Sequence, residues 1–230
     1  MSLTAPKLIN SNLSRKSTIG SEMHLPNIRP IVKGAYKEAA NTLTEAYIKD
    51  NIMGWCVQGL EQKRHEEFLH TLFEHIIYAS STQNREFALQ VDGCKGVLIW
   101  TNKGSSPWPR VFSTMKLARL IGWSSALRAV TKVGPSCDKL KRKMMAQHPK
   151  FITICHVGVL SHEDRKGYGS SLVSHVLKRA DEANYPVYVE VSDPDSVKFF
   201  EQFGFEVKAT VFIANRHDLP VALMVRLPMA

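Results

Sequence analysis

A chain of 230 residues with 44% hydrophobic and 22% charged residues can bury a sizeable core and has the composition of an ordinary globular protein. No stretch reaches the ~18 uninterrupted apolar residues of a membrane span, and four dispersed cysteines (Cys56, Cys94, Cys137, Cys155) with no Cys-x-x-Cys pair speak against a disulfide framework or zinc site and for reduced thiols in the cytoplasm. The net charge of +9 is local: residues 102–150 hold eleven Lys or Arg against one acid, Asp138, so the rest of the chain is close to neutral.

Residues 1–25 lack the apolar stretch of a secretory signal and are expected to form a flexible tail. Pro26 to Val32 is apolar and β-branched, a first strand ended by Gly34. Ala35 to Ile48 and Leu60 to Tyr78 carry apolar residues at spacings of three and four, which predicts amphipathic helices, with Gly54 and Gly59 as punctuation between them. Phe87 to Val91 and Gly96 to Trp100 flank Asp92-Gly93, a hairpin signal. In the basic segment Val111 to Val130 reads as helix, Gly134-Pro135 as a break, and Ser136 as the cap of a further helix.

Phe151 to Leu160 is a strand candidate, and Gly167 to Ala183 a helix with Leu172, Val173, Val176, Leu177 and Ala180 on one stripe. Val187 to Val191 is a strand, and Asp195 to Phe203 a short helix stopped by Gly204. Phe205 to Ile213 and Val221 to Leu227 are closing strands. This order predicts an α/β fold, one domain over 26–230 with a basic helical insertion at 102–150.

The informative stretch is the strand–loop–helix junction around Gly167 and Gly169. Unpaired N–H groups and the positive end of the helix dipole suit a phosphate or pyrophosphate there, and Arg165 and Lys166 add charge. A tight turn without a ligand fits the same glycines equally well. A dinucleotide fingerprint lacks its third glycine, and a P-loop its Gly-Lys-Ser/Thr ending.

The run from His156 through Gly158, Arg165-Lys166-Gly167-Tyr168-Gly169-Ser170 to Leu172 resembles the central motif of the GNAT acetyltransferases. Pro186 to Ser192 is similar to the strand that follows it in that family, and Ser196-Val-Lys-Phe-Phe-Glu-Gln-Phe-Gly-Phe205 to its closing signature. Ile28-Arg29-Pro30, Gly96 to Trp100 and Met224 to Arg226 match its first, third and last strands in order. The resemblance implies the GNAT fold: a mixed, mostly antiparallel central sheet flanked by helices, with a helical insertion between the third and fourth strands.

For function the resemblance implies direct transfer of an acetyl group from acetyl-CoA, as co-substrate, to a small-molecule or peptide amine. The pantetheine arm would meet the backbone of Val157, Gly158 and Val159. Asp164, Arg165, Lys166, Gly167, Tyr168, Gly169 and Ser170 would hold the pyrophosphate, with Ser196 and Phe200 also on the cofactor. Amine acetylation needs a base for the ammonium proton, a donor for the oxyanion and a proton for the sulfur. Glu190, a carboxylate in an apolar strand, is the expected base, and Ser196 the hydroxyl near the sulfur. His156 and His162 are weaker choices.

Three positions depart from the family pattern. Asp164 stands where Gln or Arg is usual, Ser196 where Asn is usual, and Phe200 where a tyrosine acid is usual. They keep an alternative in view, an acyl-CoA-binding sensor or scaffold with weak or no catalysis. No metal is expected: His65 and His70 are five apart and point about 140° from each other on a helix. The basic segment reads as an amphipathic lid, an attractor of acidic groups, or a nucleic-acid or membrane contact, in falling order; nucleic acid is not expected, and a homodimer is left open.

Overall fold

The computed structural model describes residues 26–102 and 134–229; the expected tail at 1–25 and the expected helix at Val111–Val130 lie outside the described residues. The chain runs through β1 (Ile28–Pro30), α1 (Tyr36–Tyr47), α2 (Asn51–Cys56), α3 (Gln62–Gln83), β2 (Ala88–Val91) and β3 (Gly96–Asn102). It continues with α4 (Gly134–Met144), β4 (Ile152–Val159), α5 (Tyr168–Glu182), β5 (Val187–Val191), α6 (Pro194–Glu201), β6 (Glu206–Phe212) and β7 (Pro220–Arg226).

Two local expectations are corrected. Gly54 does not interrupt the chain but lies inside α2. The Asp50 side chain caps that helix by accepting from Met53 N at 2.8 Å, and Ile52, Met53 and Cys56 are buried. Capping and burial outweigh the roughly 1 kcal/mol helix penalty of a glycine. Likewise α4 starts at Gly134, ahead of the expected cap at Ser136. Proline in a first helical turn costs no hydrogen bond, because that N–H has no intrahelical partner anyway. Downstream, α6 begins at Pro194 by the same logic, with Asp193 Oδ1 accepting from Asp195 N at 3.0 Å and Ser196 N at 2.9 Å.

The seven strands form one sheet in the order β1-β2-β3-β4-β5-β7-β6, antiparallel throughout except at β4–β5. Helices cover both faces. On one, α1 and α3 bury Ala39, Leu43, Phe68, Leu72, Phe73 and Ile76 against Val97, Ile99 and Tyr188. On the other, α5 and α6 bury Leu172, Val173, Val176 and Phe200 against Leu98, Trp100, Ile154 and Val189. Alternate residues of β3 and β5 thus serve opposite cores, as strict two-residue periodicity requires.

That periodicity breaks in β4. Ile99 faces His156 while Trp100 faces Ile154, so Cys155 is an extra, bulged residue. Before the bulge Ile152 and Ile154 serve the α5 face; after it His156 turns to the α1–α3 face, against Tyr47 and Phe73. Gly158 then sits under α1, where a β-carbon would lie 2.7 Å from Ala46 Cβ and 3.1 Å from Leu43 Cδ2. A helix can approach this closely only over a glycine.

Gly158→Val should therefore destabilise the fold by about 1–3 kcal/mol through overpacking against α1. Urea unfolding measures it, and adding Ala46→Gly should restore part of the loss.

Candidate active site

The parallel pairing of β4 and β5 is short. It covers only Ile152–Ile154 against Val187–Val189, whereas β4 runs on to Val159 and stays paired with β3 over its whole length. Beyond Ile154 the two central strands part, and one edge of β4 faces a gap. Leu160 N donates to Lys95 O at 3.0 Å, so by antiparallel alternation the peptides of Val157 and Val159 turn away from β3 and into that gap. Val157 N donates there to the Tyr47 hydroxyl at 3.4 Å. Among the described residues no strand pairs with this edge of the expected backbone segment, Val157 to Val159, and an edge of this kind can accept an extended, amide-bearing chain.

At the end of this edge the chain turns into α5. Arg165 (φ +61°) and Gly167 (φ +84°) both take left-handed backbone, and Gly167 is the residue just before the helix. The amides of Tyr168, Gly169 and Ser170 lie in the first turn, where no helical carbonyl serves them; the first backbone pairing is Ser171 N to Gly167 O at 2.9 Å. Gly169 lies between α5 and the gap: a β-carbon there would stand 3.6 Å from Val159 Cγ2 and 3.7 Å from Phe199 Cζ. The first-turn donors and the helix dipole suit an anion, while Gly169 lets the helix pack close to Val159 and Phe199.

A nearby carboxylate that the motif did not single out, Glu163, is nearly buried and ringed by basic side chains, Lys166 Nζ at 2.8 Å, Lys95 Nζ at 3.6 Å and His162 Nε2 at 3.8 Å. The hydrogen bond from Lys166 is the largest influence holding its carboxyl below the usual range. Lys166 is thus engaged on Glu163, and His162 belongs to this cluster rather than to the gap. The cluster carries more cationic than anionic groups, which offsets Asp164 beside an incoming phosphate.

On the other wall, Glu190 shares with Tyr188 the face of β5 turned toward α1, α3 and α4. The Tyr188 hydroxyl donates to Glu190 Oε1 at 2.9 Å, and the buried Lys141 ammonium from α4 stands 4.8 Å from the Tyr188 ring centroid. Glu190 is exposed to solvent as a residue, while Tyr188, Cys137 and Lys141 crowd its carboxyl. Desolvation is the main cause that pushes its pKa up, Asp138 adds to it, and Lys141, Tyr188 and Cys137 pull it back. Lys141, Tyr188 and Cys137 carry no motif; only the strand's side-by-side alternation links Tyr188 to Glu190 in the sequence.

Ser196 is half-buried in the first turn of α6, its backbone N–H held by Asp193. Phe200 is 2% exposed and packs between Phe199 and Phe205, so the ring at the glycine turn is Phe199, one residue earlier. The mouth of the gap holds a pair that sequence reasoning missed: the Ser192 hydroxyl, at the end of β5, donates to the Asp50 carboxylate that caps α2. His156 is buried between Tyr47 and Phe73, and burial lowers its pKa to about 4. It is a neutral core imidazole and no base. Among the described residues no cluster of His, Cys, Asp or Glu could hold a metal, and no helix is long and apolar enough to cross a membrane.

A sheet that splays beside a bulged strand, with a helix N-terminus at one end and a carboxylate on the facing strand, is an arrangement that suits acyl transfer to an amine. The comparisons agree: the model of the acetyltransferase (GNAT) family matches residues 119–205. An uncharacterized N-acetyltransferase of Schizosaccharomyces pombe is 23% identical over 201 residues, covering 84% of this chain and 80% of its own. A solved histone acetyltransferase HPA2-related acetyltransferase from Corynebacterium glutamicum superposes with a TM-score of 0.62 at 18% identity, covering 89% of this chain and 97% of its own. Arylalkylamine N-acetyltransferase 2 from Aedes aegypti does so with a TM-score of 0.58 at 13% identity, over 88% of this chain and 98% of its own. Over residues 119–205 the chain is similar to the GNAT acetyltransferases, and the described residues share the fold of the solved members.

His156 also makes the fold sensitive to acid. Between pH 6.5 and about 4 the unfolded chain protonates this imidazole while the folded chain refuses the proton. Its contribution is therefore complete above pH 6.5 and should fall by about 2 kcal/mol between pH 7 and pH 5. Urea midpoints at the two pH values measure the slope, and His156→Phe should flatten it.

Proposed function

We propose that this protein acetylates a primary amine, on a small molecule or a peptide, by direct transfer from acetyl-CoA. The observation that carries this is the gap itself: a free β4 edge, an anion-binding turn at one end, and a crowded carboxylate opposite. Acetyl-CoA, when bound, supplies an activated acyl thioester. Val157 and Val159 offer strand-edge amide and carbonyl groups to its pantetheine arm. The first-turn amides of α5, from Tyr168 to Ser170, with Arg165, Lys166 and Gly167, take its pyrophosphate.

Glu190 acts as general base on the acceptor ammonium. A raised carboxyl pKa, caused mainly by desolvation, strengthens Glu190 as a base. Val157 N–H, at the deep end of the free edge, is the donor for the oxyanion. Asp50, Glu190 and Asp193 give the acceptor side carboxylates, which suits a cationic amine over an acidic substrate. The domain runs over 26–230, and four cysteines outside any disulfide fit a reducing, cytoplasmic setting.

One observation favours a second reading, an acyl-CoA sensor or scaffold: Phe200 offers no hydroxyl and lies in the core. Calorimetric titration and turnover separate the two. Acetyl-CoA should bind wild type and not Gly169→Glu, whose carboxylate would project where the pyrophosphate belongs. Assayed against a panel of aryl, alkyl and peptide amines, Glu190→Gln should lose about 10²–10⁴-fold in kcat/KM and the acid limb of the pH profile, with acetyl-CoA affinity retained. Binding without turnover by wild type would support the sensor, and no binding at all would sink both.

A further inference from the structure

We propose that the Tyr47 hydroxyl is the hydrogen-bond donor to the departing sulfur, in the place where Phe200 supplies none. The inference rests on the acetyl-transfer reading above and assigns its missing hydrogen-bond donor to the sulfur.

Tyr47 is the last residue of α1, and its oxygen accepts the Val157 N–H at 3.4 Å. That amide is the one turned into the gap nearest the point where β4 and β5 part, so the phenol stands at the deep end of the free edge. A phenol that accepts one hydrogen bond still has its own O–H to give. Among the described residues no acceptor lies within hydrogen-bond distance of it, and its charged neighbours are Asp50, Cys155 and Asp193.

The ring is held rigidly. It packs on Phe73 with centroids 5.2 Å apart, and edge-on against His156 at 5.5 Å. The close seat of α1 over Gly158 sets its height above the sheet. Burial pushes the phenol pKa upward, so the hydroxyl keeps its proton through the neutral range and serves as a donor rather than a base. A hydroxyl so placed costs little reorganisation at the moment of reaction.

The step balances as follows. Glu190 takes one proton from the acceptor ammonium, and the amine lone pair forms the N–C bond to the thioester carbonyl. The carbonyl oxygen takes over the Val157 N–H, which frees the Tyr47 oxygen from its present partner. The C–S bond breaks with its electron pair on sulfur, and Tyr47 O–H donates a hydrogen bond to that thiolate. The remaining amine proton neutralises the sulfur, so the products are amide, thiol and one proton on Glu190 for release to solvent.

Tyr47→Phe keeps the ring packing and removes only the hydroxyl. Two readouts are taken on the full chain: steady-state kinetics with acetyl-CoA, and ultraviolet titration of the thiol of bound coenzyme A. Loss of a hydrogen bond to an anionic sulfur should lower kcat about 10- to 100-fold with the KM for acetyl-CoA unchanged. It should also raise the pKa of the bound thiol relative to wild type, a change that a purely structural role would not produce. Thermal melting confirms that the variant folds; if Tyr47→Phe melts early, Tyr47→Leu, which removes the ring together with the hydroxyl, serves as the packing control. Wild-type kcat and thiol pKa in Tyr47→Phe, with coenzyme A binding intact, overturn the assignment to Tyr47 alone. Failure of wild type to bind coenzyme A overturns both this assignment and the acetyl-transfer reading beneath it.

Discussion

The structure depends on one extra residue in β4. Cys155 has no partner opposite it on β3, and past this bulge the alternation of faces is reversed. Parallel pairing with β5 ends beside it, at Ile154 and Val189. Had the strand remained regular, His156 would point toward α5 and Gly158 would lose its place under α1. The gap, the inward amide of Val157 and the seat of Tyr47 all follow from this local change of register. A bulge strengthens strand twist, and here it leaves two neighbouring strands diverging while each keeps its other partner.

Two charge arrangements then divide the gap. At the phosphate end, Lys95, His162 and Lys166 surround Glu163, and the helix dipole of α5 points the same way. At the acceptor end, Lys141 moderates the desolvation of Glu190 and Asp50 is held by Ser192. Lysines at one end and carboxylates at the other give the gap an electrostatic polarity, the one the proposed pyrophosphate and amine would need. Lys141 comes from the segment between β3 and β4, so part of the basic insertion sits beside Tyr188 and the proposed base, Glu190.

Much of this was legible in the chain. The apolar stripes of α1, α3 and α5, the Asp92-Gly93 hairpin and the glycines before α5 are short-range signals, each written within a few residues. The order of strands and helices, with Gly167 and Gly169 at one junction, led to the fold because several such signals fell in sequence. Glu190 was visible as a carboxylate among valines. Boundaries at Gly54 and Gly134 misled, because a glycine or proline signals only the local preference of the backbone, and capping by Asp50 or a first-turn position overrides it.

What the sequence by itself determined is the set of elements and the turn that can receive an anion, since both rest on neighbours in the chain. What only the tertiary structure decided is which groups meet across the gap. Tyr47 and Val157 are 110 residues apart, and Asp50 and Ser192 are 142 apart. Both phenylalanines of the closing signature read alike in sequence, yet packing sends Phe200 into the core and Phe199 to the glycine turn. The bulge at Cys155 is hidden for the same reason: β4 has apolar residues toward both cores, so its pattern cannot show where its parity changes, and only pairing with β3 reveals it.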